Sequence, residues 1–269
     1  MNIYIMSRGR AGKVHTLNSI PDVRRKNTHI VCSEEEHGAY DDYYGAMVNV
    51  TEAPSWVSNY SEKFQWLLDT GDQDGYAPRK FIIMDDDLWF SKRVVGTEQL
   101  LKMTDEGDFV HMWSMMEDLL EEFPLVGMHP RQMGHLAELP YVMNGKVICI
   151  QGVNLDLFPN KTVPRVDQFP ILADVILNCT LLSQGYPNAL LTSYVQDHGS
   201  CQAPGGCSLY RTPAMQEEAV RWVAAQFAPH AQAVVKRPKS AKWMGDERVD
   251  LRVQWKQMYK AGLAKRNAG

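Results

Sequence analysis

The chain has 269 residues, of which 45% are hydrophobic and 22% charged, and its formal net charge is −4. This composition is ordinary for a globular protein. No apolar run approaches the roughly 18 residues of a membrane span, and the N-terminus lacks the features of a signal peptide. Five cysteines, an odd number, argue against a disulfide framework. We therefore expect a reduced cytoplasmic protein without a membrane partner.

The basic residues are concentrated near the C-terminus. Residues 236–269 contain ten Lys and Arg residues against three acidic ones, a net charge of +7, so the rest of the chain carries −11. A basic segment on an acidic body predicts a polyanionic partner, and a solvated C-terminal helix is the alternative. We predict one main domain over residues 1–235 and a basic C-terminal extension over residues 236–269.

Strands and helices alternate in the first third of the predicted structure. A β-rich strand over residues 3–6 leads into the basic loop Ser7-Arg8-Gly9-Arg10-Ala11-Gly12-Lys13 and a helix that ends at about Ile20. Periodicity also predicts a helix over residues 60–68 and strands over residues 29–32, 46–50 and 81–84. This order predicts an α/β sheet covered by helices.

The second half of the chain is less regular. Its apolar patterns predict strands over residues 123–127, 146–153 and 189–195, and helices over residues 171–183 and 215–227. A segment rich in Gly and Pro, residues 202–207, predicts a loop after the last of these strands.

Three consecutive carboxylates, Asp85-Asp86-Asp87, directly follow the predicted strand over residues 81–84. Adjacent anions repel one another and are costly to desolvate. A divalent cation with oxygen ligands, such as Mg²⁺ or Mn²⁺, removes that cost. Open α/β sheets bind ligands at the carboxyl ends of their strands, where these residues lie. The motif therefore indicates a metal site, and a simple acidic turn is the alternative.

The chain resembles the GT-A glycosyltransferases in the order of its motifs: a first strand with a basic loop, a second strand ending in acidic residues, and an apolar strand followed by Asp-x-Asp. Many of these enzymes also have a Glu-Asp pair that opens a helix ending Leu-Leu-x-x-Gly-Tyr. Here Asp174 precedes Leu181-Leu182-Ser183-Gln184-Gly185-Tyr186, and Ala173 replaces the Glu. The resemblance implies a GT-A (Rossmann-like) mixed sheet flanked by helices, here with a basic C-terminal helical extension.

More narrowly, the chain resembles the phage-encoded TET-associated glycosyltransferases over roughly residues 3–212. The resemblance is carried by Ser7-Arg8-Gly9-Arg10, by Asp85-Asp86-Asp87, and by the segment from Pro204 to Thr212. It implies metal-dependent transfer of a sugar from a UDP-sugar to 5-hydroxymethylpyrimidines, chiefly 5-hydroxymethylcytosine, in phage DNA in the host cytoplasm.

The resemblance implies a metal site for Mn²⁺ or Mg²⁺. Asp87 is expected to bind the metal directly. Asp85 is expected to contact the ribose or a metal-bound water, and Asp86 the metal or the sugar. His198, after the late strand, is the expected second metal ligand, since a neutral imidazole suits Mn²⁺, and a surface histidine is the alternative.

The resemblance also implies contacts to the nucleotide-sugar. Ser7, Arg8, Arg10 and Lys13 are expected to hold the pyrophosphate, because Arg and Lys bind phosphate and glycines permit close backbone approach. A basic helix entrance is the alternative for this loop. Three further residues have expected donor contacts: Glu34 with the base or ribose, Lys63 with the donor, and Arg211 with the diphosphate when the Gly-Gly loop closes.

Asp174 is the candidate base, or electrostatic partner, for the acceptor hydroxyl, because a helix N-terminus stabilises its ionised form. Helix capping is the alternative role, and Asp167 is a nearby rival. His129 and Arg131 lie in a long polar loop where we expect contacts to a DNA acceptor.

Two other functions remain open. One is a GT-A enzyme with a carbohydrate, lipid or protein acceptor, which does not need the basic C-terminal segment. The other is a non-enzymatic nucleic-acid-binding relative, which loss of the Asp motif would favour. A nucleotidyltransferase fits the loop from Ser7 to Lys13 poorly.

Overall fold

A mixed sheet of ten strands organises the part of the chain that the structure describes. The computed structural model describes residues 1–72, 79–94, 96–97, 99–131, 140–199, 204–237 and 247–268. The ten strands are β1 (Asn2–Met6), β2 (Thr28–Cys32), β3 (Asn49–Glu52), β4 (Lys80–Asp85), β5 (Leu88–Arg93), β6 (Leu100–Lys102), β7 (Leu125–Pro130), β8 (Tyr141–Met143), β9 (Ile150–Asn154) and β10 (Asn188–His198).

The strand order is β3-β2-β1-β4-β9-β7-β10-β5-β6, and β8 pairs with β10. Strands β3, β2, β1 and β4 are parallel, so their carboxyl ends meet at one edge of the sheet. Strand β9 is antiparallel to both β4 and β7. The mixed sheet with flanking helices confirms the predicted α/β, GT-A-like class.

Helices cover both faces of the sheet. They are α1 (Asp22–Arg25), α2 (Glu34–Tyr44), α3 (Tyr60–Asp72), α4 (Glu106–Leu119), α5 (Ala173–Ser183), α6 (Pro213–Gln226) and α7 (Trp255–Ala268). Alternate strand residues point to opposite faces: Ile82 and Met84 join the core with α4, and Phe81 and Ile83 join the core with α3 and α5. Within the described residues, no helix combines the length and apolar character that crossing a bilayer requires.

Several predicted boundaries are wrong, for local reasons. The predicted helix before Ile20 is a short 3₁₀ helix, His15–Ser19. The strand predicted over residues 46–50 lies at Asn49–Glu52, because α2 runs to Tyr44 and its closing turn continues to Val48, whose amide donates to the Tyr44 carbonyl. The strand predicted to begin at residue 146 begins at Ile150, since the left-handed backbone of Cys149 (φ 65°) interrupts an extended chain.

The C-terminal segment forms an antiparallel hairpin of β11 (Ala231–Lys236) and β12 (Arg248–Val253), followed by α7. Helix α7 approaches the C-terminal end of α5 at backbone distance: a Cβ on Gly262 would lie 2.5 Å from the Gly185 nitrogen. Met258 is buried beside α5. The predicted division at residue 236 falls at the last residue of β11 and stays a prediction.

Candidate active site at the carboxyl ends of the parallel strands

The loops after β1, β2 and β4 converge because these strands are parallel. Met6 pairs with Asp85 on one side and with Val31 on the other. Ser7 therefore follows β1 beside the Asp motif, and Glu34 follows β2 close by. The Asp motif was expected at the carboxyl end of a strand, and the parallel pairing brings the loops after β1 and β2 to the same edge.

Asp86 lies in the interior and is held by the loop after β1. It is 3% exposed and accepts hydrogen bonds from the Ser7 hydroxyl and from Nη1 of Arg10. Burial raises the pKa of Asp86, although Arg10 and Ser7 oppose that shift. The same Nη1 of Arg10 lies 3.0 Å from Oδ2 of Asp87. Arg10 is therefore the internal counter-ion for two of the three aspartates.

Lys63 anchors the loop after β1 through buried hydrogen bonds to backbone carbonyl oxygens. Its ammonium donates to the carbonyl oxygens of Ser7 (2.9 Å) and Val31 (3.1 Å), and it is 8% exposed. Burial lowers the pKa of Lys63 to about 8. The side chain thus joins the ends of β1 and β2, and its predicted contact with the donor stays a prediction.

Two adjoining cavities open at this edge of the sheet. The first has a volume of about 440 Å³ and is lined by residues from the loops after β1 and β2 and the start of α3. The predicted donor residues Ser7, Arg8, Glu34 and Lys63 all line it. Its polar side chains and its size suit a nucleotide.

The second cavity has a volume of about 340 Å³ and contains the charged groups. The predicted residues that line it are Arg10, Asp85, Asp87, Asp174, His198 and Arg211. Met6, Tyr60, Gly206 and Cys207 line both cavities, so the two share a wall. A molecule bound in the first cavity can therefore present one end to the carboxylates in the second.

Asp85 and Asp174 face the second cavity with elevated pKa values. Burial, together with the negative charges of Asp87 and Asp174, raises the pKa of Asp85 well above its usual value. Burial also raises the pKa of Asp174, while the positive charges of Lys146 and Arg211 and the hydrogen bond from the Val175 amide (2.8 Å) lower it. Perturbed carboxylates in a cleft are the usual mark of an acid–base site.

Two residues that line the second cavity have left-handed backbones although neither is glycine. They are Cys149 (φ 65°) and Leu172 (φ 73°). Cys149 accepts the backbone hydrogen bond of Asp85 through its carbonyl (2.9 Å), and Leu172 caps the helix that presents Asp174. Such strained backbones concentrate at functional sites.

The carboxylates of the second cavity suit a hard divalent cation. Asp85 lies beside three other carboxylates, those of Asp86, Asp87 and Asp174, an excess of negative charge that a cation would relieve. The antiparallel pairing of β10 with β5 places His198 opposite Leu88, the residue after Asp87. Across the described ranges, however, no three His, Cys, Asp or Glu side chains form a ready metal cluster. The carboxylates supply some of the oxygen ligands that such a cation needs, and the oxygens of a substrate phosphate would complete its coordination.

Residues 204–211, which we term the cover loop, dock against the loop after β1. The Gly206 amide donates to the Arg8 carbonyl (2.9 Å), and Nε of Arg10 donates to the Pro204 carbonyl (3.1 Å). The Tyr210 hydroxyl accepts from the Tyr60 amide at the start of α3 (2.9 Å). The cover loop therefore carries Arg211 to the second cavity.

Four predicted site residues and one rival lie elsewhere, and the first is Asp86, which lies in the interior and lines neither cavity although it was expected to contact the metal or the sugar. Lys13 is exposed and lines neither cavity, and the same is true of Arg131, whose Nη1 lies 3.3 Å from Asp197. His129 lies in β7 and also lines neither cavity. The rival Asp167 is ion-paired with Arg165 and faces neither cavity, so the geometry favours Asp174.

Several residues of the site were not predicted. Lys146 lines the second cavity beside Asp174, and Tyr40 bonds both Ser7 and the Arg10 amide. Arg248 and Asp250, from the C-terminal hairpin, also line the second cavity. A lone lysine before a strand and a tyrosine on a helix carry no signal in a single sequence, because their positions depend on tertiary packing.

Comparisons with known proteins agree with this geometry. The family model for TET-Associated Glycosyltransferase matches residues 1–135. Two similar proteins are named Beta-glucosyl-HMC-alpha-glucosyl-transferase. The one from Enterobacteria phage T6 is 25% identical, with 93% of this chain and 89% of that protein covered. The one from Enterobacteria phage T2 is 24% identical with the same coverage. The chain is a glycosyltransferase and belongs to the TET-associated glycosyltransferase family.

Proposed function

We propose that this glycosyltransferase moves a sugar from a UDP-sugar onto 5-hydroxymethylcytosine in phage DNA, in the cytoplasm of the host cell. The observation that carries the proposal is the joined pair of cavities, with polar groups for a nucleotide in one and Asp85, Asp87 and Asp174 in the other. The names of the two phage relatives support a modified-cytosine acceptor.

In this proposal the first cavity holds the nucleoside. Glu34 and Ser33 face the base or ribose, and Arg8 lies beside the phosphates. The diphosphate spans the shared wall towards Arg211. Arg211 suits this role because its Nε is buried without a hydrogen-bond partner among the described residues, and an unsatisfied buried donor gains most from an anionic ligand.

The reacting groups meet in the second cavity. The bond between the anomeric carbon and the diphosphate oxygen breaks, its electron pair leaves with the diphosphate, and the acceptor oxygen forms the new bond. If the anomeric configuration inverts, the Asp174 carboxylate takes the acceptor proton; if it is retained, Asp174 orients the acceptor and the leaving phosphate takes the proton. An elevated pKa makes Asp174 a stronger base once ionised.

A divalent cation, Mn²⁺ or Mg²⁺, belongs to the same proposal. Asp85, Asp87 and His198 would hold it. When bound, the metal neutralises the negative charge that develops on the leaving diphosphate. Arg10 stabilises the ionised form of Asp87 in the absence of a cation, because its Nη1 is paired with that carboxylate.

The relatives' names favour a second acceptor, the sugar of an already glucosylated 5-hydroxymethylcytosine. The two acceptors differ only in which hydroxyl approaches Asp174. Transfer assays with a panel of UDP-sugars and Mn²⁺, on both kinds of DNA, distinguish them by nucleoside mass spectrometry.

A gain of one sugar mass on either DNA, absent in Asp87→Ala and without metal, is the expected result. Release of UDP that requires Asp87, without any mass gain on DNA, would overturn the DNA acceptor and leave a carbohydrate, lipid or protein acceptor. No UDP release with any donor would overturn the proposed donor.

A further inference from the structure

A row of cations leads from the second cavity along the C-terminal hairpin. Alternation along β12 places Arg248, Asp250 and Arg252 on one face of the strand. Arg248 and Asp250 line the second cavity, whereas Arg252 is exposed. Arg252 therefore lies about 13 Å along the strand beyond Arg248, outside the residues that line the cavity.

The row continues on α7. Met258 and Gly262 are the buried residues of this helix, and Lys256 and Lys260, one turn apart, occupy its exposed side. Lys265 near the end of the helix is also exposed. The helix is fixed to the body of the protein by its close backbone contact at Gly185 and by Arg266, whose guanidinium lies 4.1 Å from the Tyr186 ring centre.

The outer cations of the row lack acidic partners within the described part of the chain. Near the cavity, Asp250 pairs with Lys236 (2.9 Å) and Arg248 (2.7 Å), and these ion pairs lower its pKa although burial opposes the shift. Farther out, Arg252, Lys256 and Lys260 are exposed and form no ion pair with a described residue. Exposed cations without acidic partners on neighbouring elements favour a polyanionic ligand.

We propose that Arg252, Lys256 and Lys260 form a phosphate-binding track, which holds the DNA backbone beside the base being modified. The track rests on the proposed DNA acceptor and deepens it. The occupant is nucleic acid because the strand that carries Arg252 also carries Arg248, which lines the second cavity, and because a duplex presents a charge about every 1.7 Å. A small sugar or lipid acceptor would end inside the cavity and leave the outer cations unused.

The test compares Lys256→Ala/Lys260→Ala with the parent protein by measuring affinity for a duplex over a range of salt concentrations. Each lost phosphate contact lowers the slope of log K against log salt by about 0.9, so we expect a decrease of about 2 and roughly 10- to 100-fold weaker binding at 0.1 M salt. KM for the DNA acceptor rises in parallel, whereas UDP release with water as acceptor is unchanged.

The matched control is Lys26→Ala/Lys161→Ala, which removes the same charge. Both lysines are exposed and lie at the amino ends of the parallel strands, away from the two cavities: Lys26 precedes β2, and the Lys161 carbonyl contacts Arg79, which precedes β4. The control should keep the parent's salt slope.

The outcomes separate the track from the proposed function. An unchanged salt slope in the α7 variant, with sugar transfer to DNA intact, overturns the track alone. A reduced slope without transfer to any DNA supports the track and overturns the acceptor. Equal losses of slope in the α7 variant and the control overturn the track, because general charge then explains the effect.

Discussion

The hydroxyl of Ser7 donates a buried hydrogen bond to the carboxylate of Asp86, joining residues 79 positions apart in the chain. This bond divides the three aspartates between two tasks. Asp86 faces inward and fixes the loop after β1, whereas Asp85 and Asp87 line the second cavity. A run of three identical side chains therefore contains one positioning residue between two candidates for ligand contact.

Replacing Asp86 should mainly affect stability. Asp86→Asn keeps an acceptor for Ser7 but removes the charge that pairs with Arg10, and a hydrogen bond to a charged partner contributes about 1.5–3 kcal/mol. Urea unfolding should show a loss of this size. Asp87 is half-buried, so Asp87→Asn should lose less stability than Asp86→Asn and more activity. The division of tasks is wrong if the two variants lose stability equally.

Asp174→Asn should reduce sugar transfer by about 10²- to 10⁴-fold, the usual contribution of a positioned general base. An inverting reaction should show the full loss and a retaining one a smaller loss. The folded state should persist by circular dichroism, since an asparagine oxygen can still accept from the Val175 amide. Full activity in this variant would remove Asp174 from the mechanism.

Lys146→Met should shift the acid limb of the pH–rate profile towards higher pH. The positive charge of Lys146 lowers the pKa of Asp174 and thereby opposes the effect of burial. Without that charge the pKa rises, so a higher pH is needed to ionise the carboxylate. Profiles of kcat/KM for both proteins measure the shift; an acid limb that stays in place, or moves to lower pH, contradicts the coupling.

Lys63 should make stability depend on pH in the alkaline range. Its folded pKa of about 8 lies below the ordinary value of 10.5, so the unfolded chain binds more protons between these values and stability rises with pH there. The slope from one such group is at most about 1.4 kcal/mol per pH unit. The free energy of unfolding is measured for the parent and for Lys63→Met at several pH values, and the difference between the two proteins isolates this slope. If the two free energies depend on pH in the same way, Lys63 is not a buried ammonium.

Gly205→Ala should impair sugar transfer, because the added methyl group displaces Arg10. Gly205 has φ 95°, and an added Cβ would lie 2.7 Å from Cγ and Nε of Arg10. Gly96→Ala is the matched control, because Gly96 has φ 75° but open space around it. Both changes place a side chain at a positive φ, which costs about 1–3 kcal/mol, yet only the first should lower kcat/KM beyond tenfold. If the two variants have similar kcat/KM values, the packing of the cover loop against Arg10 does not contribute to catalysis.

The sequence was sufficient to predict the regular parts of the fold and the Asp motif. Short apolar runs gave β1, β2 and β4 to within one residue at each end, since buried parallel strands are nearly continuous in hydrophobicity. Helix α4 was not predicted, although it packs Trp113 and Met116 against the sheet. The hairpin of β11 and β12 was also missed, because its strands are largely exposed or half-buried and carry several charged residues.

The sequence predicted only those site residues that a motif places at the carboxyl edge of the sheet. Asp85, Asp174 and Arg211 were named from motif order and share one cavity. The inward orientation of Asp86 was not predictable, because it depends on Ser7 and Arg10 from another loop. Lys146 was missed for the same reason: its charge matters through Asp174, a partner fixed by tertiary structure.

The wall that the two cavities share has a consequence for the catalytic cycle. Gly206 and Cys207 of the cover loop border both chambers, so withdrawing that loop from one also withdraws it from the other. In the proposed reaction, a displacement that releases the nucleotide would therefore also uncover Asp85 and Asp174. Conversely, while the cover loop is in place over a bound donor, it limits the access of water to both carboxylates and so protects the donor from hydrolysis.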